Sequence, residues 1–190
     1  TPFAIQLYLD SLTYNGEERD RSPLNVMLDN QSHCLDGGFL AALCLWRIGF
    51  KPLLIDIVPD PGVDDDHVLA LYQLEGRWGA LAKTNYINLG FREPVYKNFR
   101  ELVMTYFEHY VSIHQIKCLT GYTRPIDVSS YTHLDEAGAN ILYHKHFYGR
   151  QPIPLITKSM AKRLSPVTDR AYASETLHTN LNESFGNRKY

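Results

Sequence analysis

A helical run followed closely by a buried strand, between residues 34 and 58, constrains the fold more than any other part of the sequence. The segment FLAALCLWRIG has helical periodicity and ends at Gly49, a residue type that commonly stops a helix. Lys51 and Pro52 then open LLIDIV, a short continuous apolar run that is typical of a buried strand. The chain therefore combines helix and strand in one core, which excludes an all-helical or an all-strand fold.

A two-stranded hairpin is predicted next along the chain. His67 begins HVLALYQL, in which His67, Leu69 and Leu71 face one way and the residues between them face the other. Glu75-Gly76 is typical of a hairpin turn, and residues 77–83 are interpreted as the returning strand.

Length and charge limit the class of protein. The 190 residues suffice for one domain, which we expect at residues 1–165, with helical additions and a polar C-terminal tail at residues 166–190. The net charge of -2 argues against binding to nucleic acid, which requires a basic excess.

No apolar stretch approaches the roughly 20 residues of a membrane span, and no secretory signal is visible. With 3 cysteines, an odd number, the chain is no disulfide scaffold, and we expect a cytoplasmic protein.

The pattern of apolar residues is weaker in the remaining segments. Residues 2–13 read as a first helix capped by Thr1, residues 14–23 as a loop, and residues 99–114 and 135–146 as two further helices. Most of the 13 tyrosines fall in the second half of the chain. Tyrosine can bury its ring and still form a hydrogen bond, so this half is expected to form a cleft wall or an interface.

Cys34 and His67 are the residues best suited to carry chemistry. Cys34 immediately precedes the apolar helix, and a thiolate is favoured at a helix N-terminus by the helix dipole and the unpaired N–H groups. His67 opens a strand, where its side chain can face a cleft and complete a thiolate–imidazolium pair. The acidic residues at positions 64–66 are expected to raise the pKa of His67 and so favour the imidazolium.

Other interpretations of these residues stay open at this stage. A lone cysteine is most often a small buried hydrophobe, and that interpretation is accepted for Cys44 and Cys118. A metal site made by Asp64, Asp66 and His67 is a weaker alternative, because the segment lacks the glycine turn and the bidentate glutamate of a calcium loop. We expect no cofactor and no bound metal.

The segment from His33 to about Asn85 resembles the core of the transglutaminase-like superfamily of papain-like cysteine enzymes. The matching landmarks arrive in the family's order: Cys34, then RIGF at residues 47–50, then His67, and then GRW at residues 76–78. The resemblance implies an α+β fold in which the nucleophile helix packs on an antiparallel β-sheet. It also implies that Cys34 is the nucleophile and His67 the general base.

The chain departs from the family pattern at the third catalytic position. The family usually has an aspartate about four residues after the tryptophan, where this chain has Ala82. Asn85 is the substitute candidate, since papain-like enzymes use asparagine in this role. A two-residue turn would place Thr84 opposite His67 and direct Asn85 to the other side of the sheet, unless a bulge intervenes. Asp66, or an acidic residue from elsewhere in the chain, is the alternative group to orient His67.

Three further residues are considered as parts of the site. Gln31 is a candidate oxyanion donor, against the plainer interpretation of an ordinary loop amide. Trp78 is a candidate for the wall of the substrate cleft or for the core. His33 is expected to point away from its sequence neighbour Cys34.

Two functions follow from these expectations. The first is a cysteine-nucleophile acyl transferase or an amide or peptide hydrolase, in which the Cys34–His67 pair forms an acyl-enzyme intermediate. Its substrate would be a peptide, a protein or a small amide, with hydrolysis favoured over cross-linking. The alternative is a catalytically decayed transglutaminase-like protein that binds a partner. A homo-oligomer formed through the Tyr-rich half is the other association considered, and neither nucleic acid nor a membrane is expected as a partner.

Overall fold

The computed structural model describes residues 1–131 and 143–187. Within them the chain forms six α-helices: α1 (Pro2–Ser11), α2 (Pro23–Asp29), α3 (Cys34–Arg47), α4 (Phe99–Phe107), α5 (Lys158–Ala161) and α6 (Asp169–Glu175). The strands in the same residues are β1 (Thr13–Tyr14), β2 (Gln31–Ser32), β3 (Leu53–Pro59), β4 (His67–Leu74), β5 (Arg77–Leu81), β6 (Arg92–Tyr96), β7 (Leu119–Tyr122), β8 (Ile126–Asp127) and β9 (Ile153–Pro154).

Seven strands form one antiparallel sheet. Their order is β6-β5-β4-β3-β7-β9, and β8 also pairs with β3. Strands β1 and β2 form a separate parallel pair beside it. The expected α+β class is therefore confirmed. In the described part of the chain, none of the helices combines the length and the apolar character that a membrane-spanning helix requires.

The hairpin of β4 and β5 has the register that the sequence predicts. Leu74 pairs with Arg77, so Glu75 and Gly76 form a two-residue turn. Both turn residues have positive φ, at 50° and 75°, which matches the right-handed twist of the flanking strands. This register fixes which side chains of β4 face each side of the sheet.

The two faces of the sheet pack against different helices. Val68, Ala70 and Tyr72 of β4 join the core formed with α1 and α3. Leu69 and Leu71 join a second core with α4 and the segment around β9. The alternation expected along β4 is confirmed, and the position of His67 places it on the same face as Leu69 and Leu71.

Two glycines in the first turns of helix α3 allow it to pack closely on the sheet and on Lys83. A Cβ atom added to Gly38 would lie 2.8 Å from Cγ1 of Val68, and one added to Gly37 would lie 2.3 Å from Cβ of Lys83. A larger residue at position 38 would push α3 away from β4, and one at position 37 would push it away from Lys83. The glycines therefore determine how close Cys34, at the start of α3, lies to the end of the sheet.

Lys83 anchors α1 to the segment after β5. Its ammonium group donates to the backbone oxygens of Leu9 and Leu12, at the end of α1. A cation is favoured there, because the last carbonyls of a helix have no partner inside the helix. Burial lowers the pKa of Lys83.

The structure differs from the sequence prediction in three elements. Helix α2 was not predicted, since it begins where the loop expected at residues 14–23 ends, and α4 ends at Phe107 where residues up to 114 were expected to be helical. The tail expected to pack loosely contains α6 and a 3₁₀ turn at Leu181–Glu183, and Ser184 is buried. The helix expected at residues 135–146 lies for the most part outside the described residues.

Candidate active site

Cys34 begins helix α3, directly after the N-cap residue His33. Its half-buried thiol donates to the backbone oxygen of Asp66 over 3.8 Å, which joins the first turn of α3 to the residue before β4. Cys34, His67 and Asn85 line the same cavity, whose volume is about 40 Å³. The three residues selected from the sequence are thus brought to one place, although they are not hydrogen-bonded to one another in the described residues.

His67 is fixed by its own hydrogen bond. Its Nε2 atom lies 3.0 Å from the backbone oxygen of Leu89. A carbonyl oxygen can only accept, so the ring proton resides on Nε2 and Nδ1 carries the lone pair. The carbonyl of Leu89 therefore fixes the tautomer and the orientation of the imidazole.

His67 is neutral at ordinary pH. Burial lowers its pKa to about 4, since the hydrogen bond to Leu89 only partly compensates and the charge of Arg92 lowers the pKa further. The expectation that the acidic run raises the pKa of His67 is therefore wrong, because desolvation of the ring and the charge of Arg92 both lower it and outweigh the hydrogen bond to Leu89.

Asn85 is engaged by the far end of the chain. Its Nδ2 donates to the backbone oxygen of Asn180 over 2.8 Å, and its Oδ1 accepts from the backbone N–H of Asn180 over 3.0 Å. Its amide is therefore occupied, and Leu89 holds the Nε2 atom of His67 instead. The family's aspartate position, Ala82, is paired through its backbone with the side chain of Gln6.

Residues 180–185, which we name the C-terminal strap, pair with Asn85 at one end and line this cavity at the other. Glu183 accepts from the backbone N–H of Gly16 over 2.8 Å. The hydroxyl of Tyr86 donates to Oγ of Ser184 over 2.8 Å. Glu183, Ser184 and Phe185 line the cavity together with Cys34 and His67.

His33 does not point away from Cys34 as expected. Its Nε2 lies 3.5 Å from Oδ1 of Asp20 and 3.4 Å from Oδ2 of Asp36. Burial disfavours the imidazolium, but interactions with Asp20, Cys34 and Asp36 outweigh it and raise the pKa of His33 to about 10. Burial likewise raises the pKa of Asp36 to about 6. The histidine that interacts with the thiol is therefore the sequence neighbour, and it carries the positive charge.

A pair of carboxyl groups lies close to the same point. Burial raises the pKa of both Asp56 and Asp66, and the charge of Asp66 raises that of Asp56 further. Two carboxyls in contact cannot both ionise readily, so the protonated form of one of them is favoured. Asp66 is thereby held beside Cys34 but is not bonded to the ring of His67.

The other two residues considered from the sequence lie elsewhere. The side chain of Gln31 accepts from Asn15 over 3.3 Å and does not line the cavity. Trp78 packs against Phe99 with ring centroids 4.6 Å apart, in the core on the α4 face of the sheet. Two residues of the Tyr-rich half, Tyr86 and Tyr110, do line the cavity.

Sequence reasoning missed Asp20, Asp36, Leu89 and the strap as parts of the site. The spacing of His33 and Asp36, three residues apart at a helix start, was a usable signal, because side chains at that spacing are neighbours. Asp20 and the strap reach the site through long-range folding and left no local pattern.

One group of metal-binding side-chain types is present within residues 1–131 and 143–187. The ligand atoms of Asp20, His33 and Asp36 all lie within 4.8 Å of one another.

No family model matches the chain, and no curated protein matches it. The resemblance to transglutaminase-like enzymes thus stays a prediction.

Proposed function

We propose that the protein is a cysteine-nucleophile acyl transferase or amide or peptide hydrolase with a transglutaminase-like core. One observation carries the proposal: Cys34, at the start of α3, and His67, at the start of β4, line a single cavity. The order of nucleophile helix, strand and histidine-bearing hairpin, with α3 packed on an antiparallel sheet, supports the family assignment.

The position of Cys34 suits a nucleophile. The first N–H groups of a helix lack partners within the helix, and they carry the positive end of its dipole. A thiolate at that position is stabilised, and the same N–H groups can bind the oxyanion that forms on an attacked carbonyl.

Burial keeps His67 neutral, so its ring can accept a proton, and its pKa of about 4 makes it a weak general base until substrate binding changes its surroundings. Its Nδ1 lone pair is free of the Leu89 hydrogen bond. Catalytic hydrogen bonds are often long in a substrate-free enzyme and tighten when substrate binds, so the absence of a Cys34–His67 bond leaves this role open.

The reaction proceeds by two proton relays through His67, one in acylation and one in deacylation. His67 takes the thiol proton of Cys34, the sulfur attacks the substrate carbonyl, and a carbon–sulfur bond forms. The carbon–nitrogen bond then breaks, and His67 gives the proton to the leaving amine. Water, or an acceptor amine, attacks the thioester next and loses a proton to His67, which returns it to the sulfur as the acyl group departs. A peptide, protein or small amide can enter this sequence.

A second function, partner binding on a catalytically decayed fold, is favoured by the strap. The cavity of about 40 Å³ holds little more than water, and the amide of Asn85 is already occupied by Asn180. If this is the function, Cys34→Ala leaves partner binding and any cellular phenotype unchanged.

Selective alkylation tests the catalytic proposal. Burial raises the pKa of the Cys44 thiol, and it raises that of Cys118 well above the ordinary range, so both are poor nucleophiles. Iodoacetamide at neutral pH is expected to modify Cys34 at least about tenfold faster than either, as read by peptide mass spectrometry. Equal rates at all three thiols in the folded protein would contradict the proposal, and Cys34→Ser supplies the control.

A further inference from the structure

The C-terminal strap lines the cavity that also contains Cys34 and His67. We propose that the strap holds the place of a peptide ligand: Asn85 binds the backbone of an extended peptide, and the strap must leave before such a peptide enters the cavity. That the peptide is a substrate rests on the proposed function, whereas its docking on Asn85 does not.

Asn85 binds the strap through the backbone of a single residue. Its Nδ2 donates to the backbone oxygen of Asn180 over 2.8 Å, and its Oδ1 accepts from the N–H of the same residue over 3.0 Å. A longer contact of 3.4 Å joins Nδ2 to Oγ of Ser184. Asn180 is extended, with φ of -82° and ψ of 93°. Since every residue except proline carries both an N–H and a C=O, the same two hydrogen bonds are available to any extended peptide.

The narrow cavity of about 40 Å³ shares its walls with two wider ones. It shares Tyr14 and Asn85 with a cavity of about 800 Å³. It shares Cys34 and Asp66 with a cavity of about 610 Å³. Ligand sites commonly have volumes of about 300–1,000 Å³, so both wider cavities suit a bound peptide segment. Departure of the strap would join these spaces into one cleft that passes Asn85, Cys34 and His67.

The strap is attached mainly by hydrogen bonds. Of residues 168–187, all of them described, Ser184 alone is buried, and none belongs to either core. Glu183 accepts from the backbone N–H of Gly16. Ser184 accepts from the hydroxyl of Tyr86, and each such bond contributes about 1 kcal/mol. Segments with few buried apolar contacts open at a low cost in free energy, so a peptide of moderate affinity is able to displace the strap.

Binding of the strap as a separate peptide tests the proposal. The probe is a synthetic peptide of residues 176–187 with a fluorescent label, and anisotropy reports its binding to the full-length protein carrying Cys34→Ala. Adding Glu183→Ala and Ser184→Ala gives the open variant, which loses two of the hydrogen bonds that hold the strap and keeps the Asn85 side chain. Weaker attachment lowers the competition from the strap, so we expect the peptide to bind the open variant about tenfold more tightly than the Cys34→Ala protein.

Two altered peptides show whether Asn85 binds the backbone. Methylation of the Asn180 amide nitrogen removes the N–H from which Asn85 accepts, and it leaves that side-chain oxygen without its partner. Asn180→Ala in the peptide keeps both backbone groups. We expect the methylated peptide to bind the open variant about tenfold more weakly than the Asn180→Ala peptide.

The protein variants have matched controls. Asn182→Ala, in place of the two strap changes, alters an exposed side chain and is expected to bind the peptide as weakly as the Cys34→Ala protein. Glu183→Ala in place of both changes removes one hydrogen bond and is expected to give an intermediate affinity. This graded series separates opening of the strap from misfolding of the open variant.

The proposal is overturned if the peptide binds the open variant no better than the Cys34→Ala protein, or if the two altered peptides bind equally. Acylation by p-nitrophenyl acetate, measured on the protein with its natural Cys34, tests the catalytic proposal separately. Peptide binding with these preferences but no acylation would contradict catalysis and support the docking. Acylation without peptide binding would contradict the docking alone.

Discussion

At the scale of single residues, burial decides the charge of His67. Its folded-state pKa is about 4, while the unfolded chain titrates near 6.5. Between these values the unfolded state binds more protons, so stability is fully present above pH 6.5 and is lost as the pH falls toward 4. From pH 7 to pH 5 we expect His67 to remove about 2 kcal/mol from the free energy of unfolding, measured by urea titration at both values.

The variant His67→Gln isolates this contribution. Glutamine can still donate to the backbone of Leu89 but does not titrate, so the loss of stability between pH 7 and pH 5 should shrink by about the same 2 kcal/mol. Carboxyls with a raised pKa, such as Asp36, change stability in the opposite direction and are common to both proteins. An identical pH dependence in the two proteins would show that His67 is not buried as described.

At the scale of elements, the approach of α3 to β4 depends on Gly38. The variant Gly38→Ala gains helix propensity of up to about 1 kcal/mol but places a methyl group against Val68. Overpacking of this kind costs about 1–3 kcal/mol, so we expect net destabilisation in urea unfolding.

A double-mutant cycle provides the control. Val68→Ala alone destabilises by leaving a cavity, but in the Gly38→Ala background it makes room for the new methyl group. The double variant is expected to be more stable than the sum of the single effects by about 1 kcal/mol. Additive effects would mean that α3 does not rest on Val68.

The elements that sequence predicted best are those with a local signal. Helix α3, strand β3 and the hairpin with its Glu75-Gly76 turn each carry periodicity and a stop residue of their own. Helix α2 was missed although Ser22 and Pro23 are an ordinary N-cap and first residue, because the charged run before them reads as loop. Helix α4 was predicted seven residues too long, because aromatic residues beyond Phe107 continue its periodicity outside the helix.

At the scale of the whole molecule, the C-terminal strap closes the cavity. Asn85→Ala removes two hydrogen bonds to Asn180, each worth about 1 kcal/mol. The strap should then open more often, and the backbone amide of Asn180 is expected to exchange its hydrogen on the order of tenfold faster. Hydrogen–deuterium exchange measures this directly.

The matched control lies within the strap itself. Asn182→Ala alters an exposed side chain that makes no contact with the cavity wall, so exchange at Asn180 should stay unchanged. Unaltered exchange in Asn85→Ala would instead assign the strap's closure to Glu183 and Ser184 alone.

Only those residues of the candidate site that lie in one stretch of the chain could be predicted from the sequence. Cys34 and His67 were found because a nucleophile helix and a histidine-bearing strand leave a pattern within 34 residues. The contact of Asn85 with Asn180 spans 95 residues. Residues so far apart in the sequence leave no local pattern that predicts their contact. The polar strap also lacks the apolar periodicity that would predict its packing against the rest of the protein.

Trapping the acyl-enzyme tests the central claim most directly. p-Nitrophenyl acetate transfers its acetyl group to an activated thiol, so the peptide containing Cys34 is expected to gain one acetyl group as a thioester. Cys44 and Cys118 should remain unmodified, and His67→Gln should acylate at least about 100-fold more slowly because the general base is lost. Equal acetylation of Cys34 in wild type and His67→Gln, or none at Cys34 in the wild type, would contradict the account.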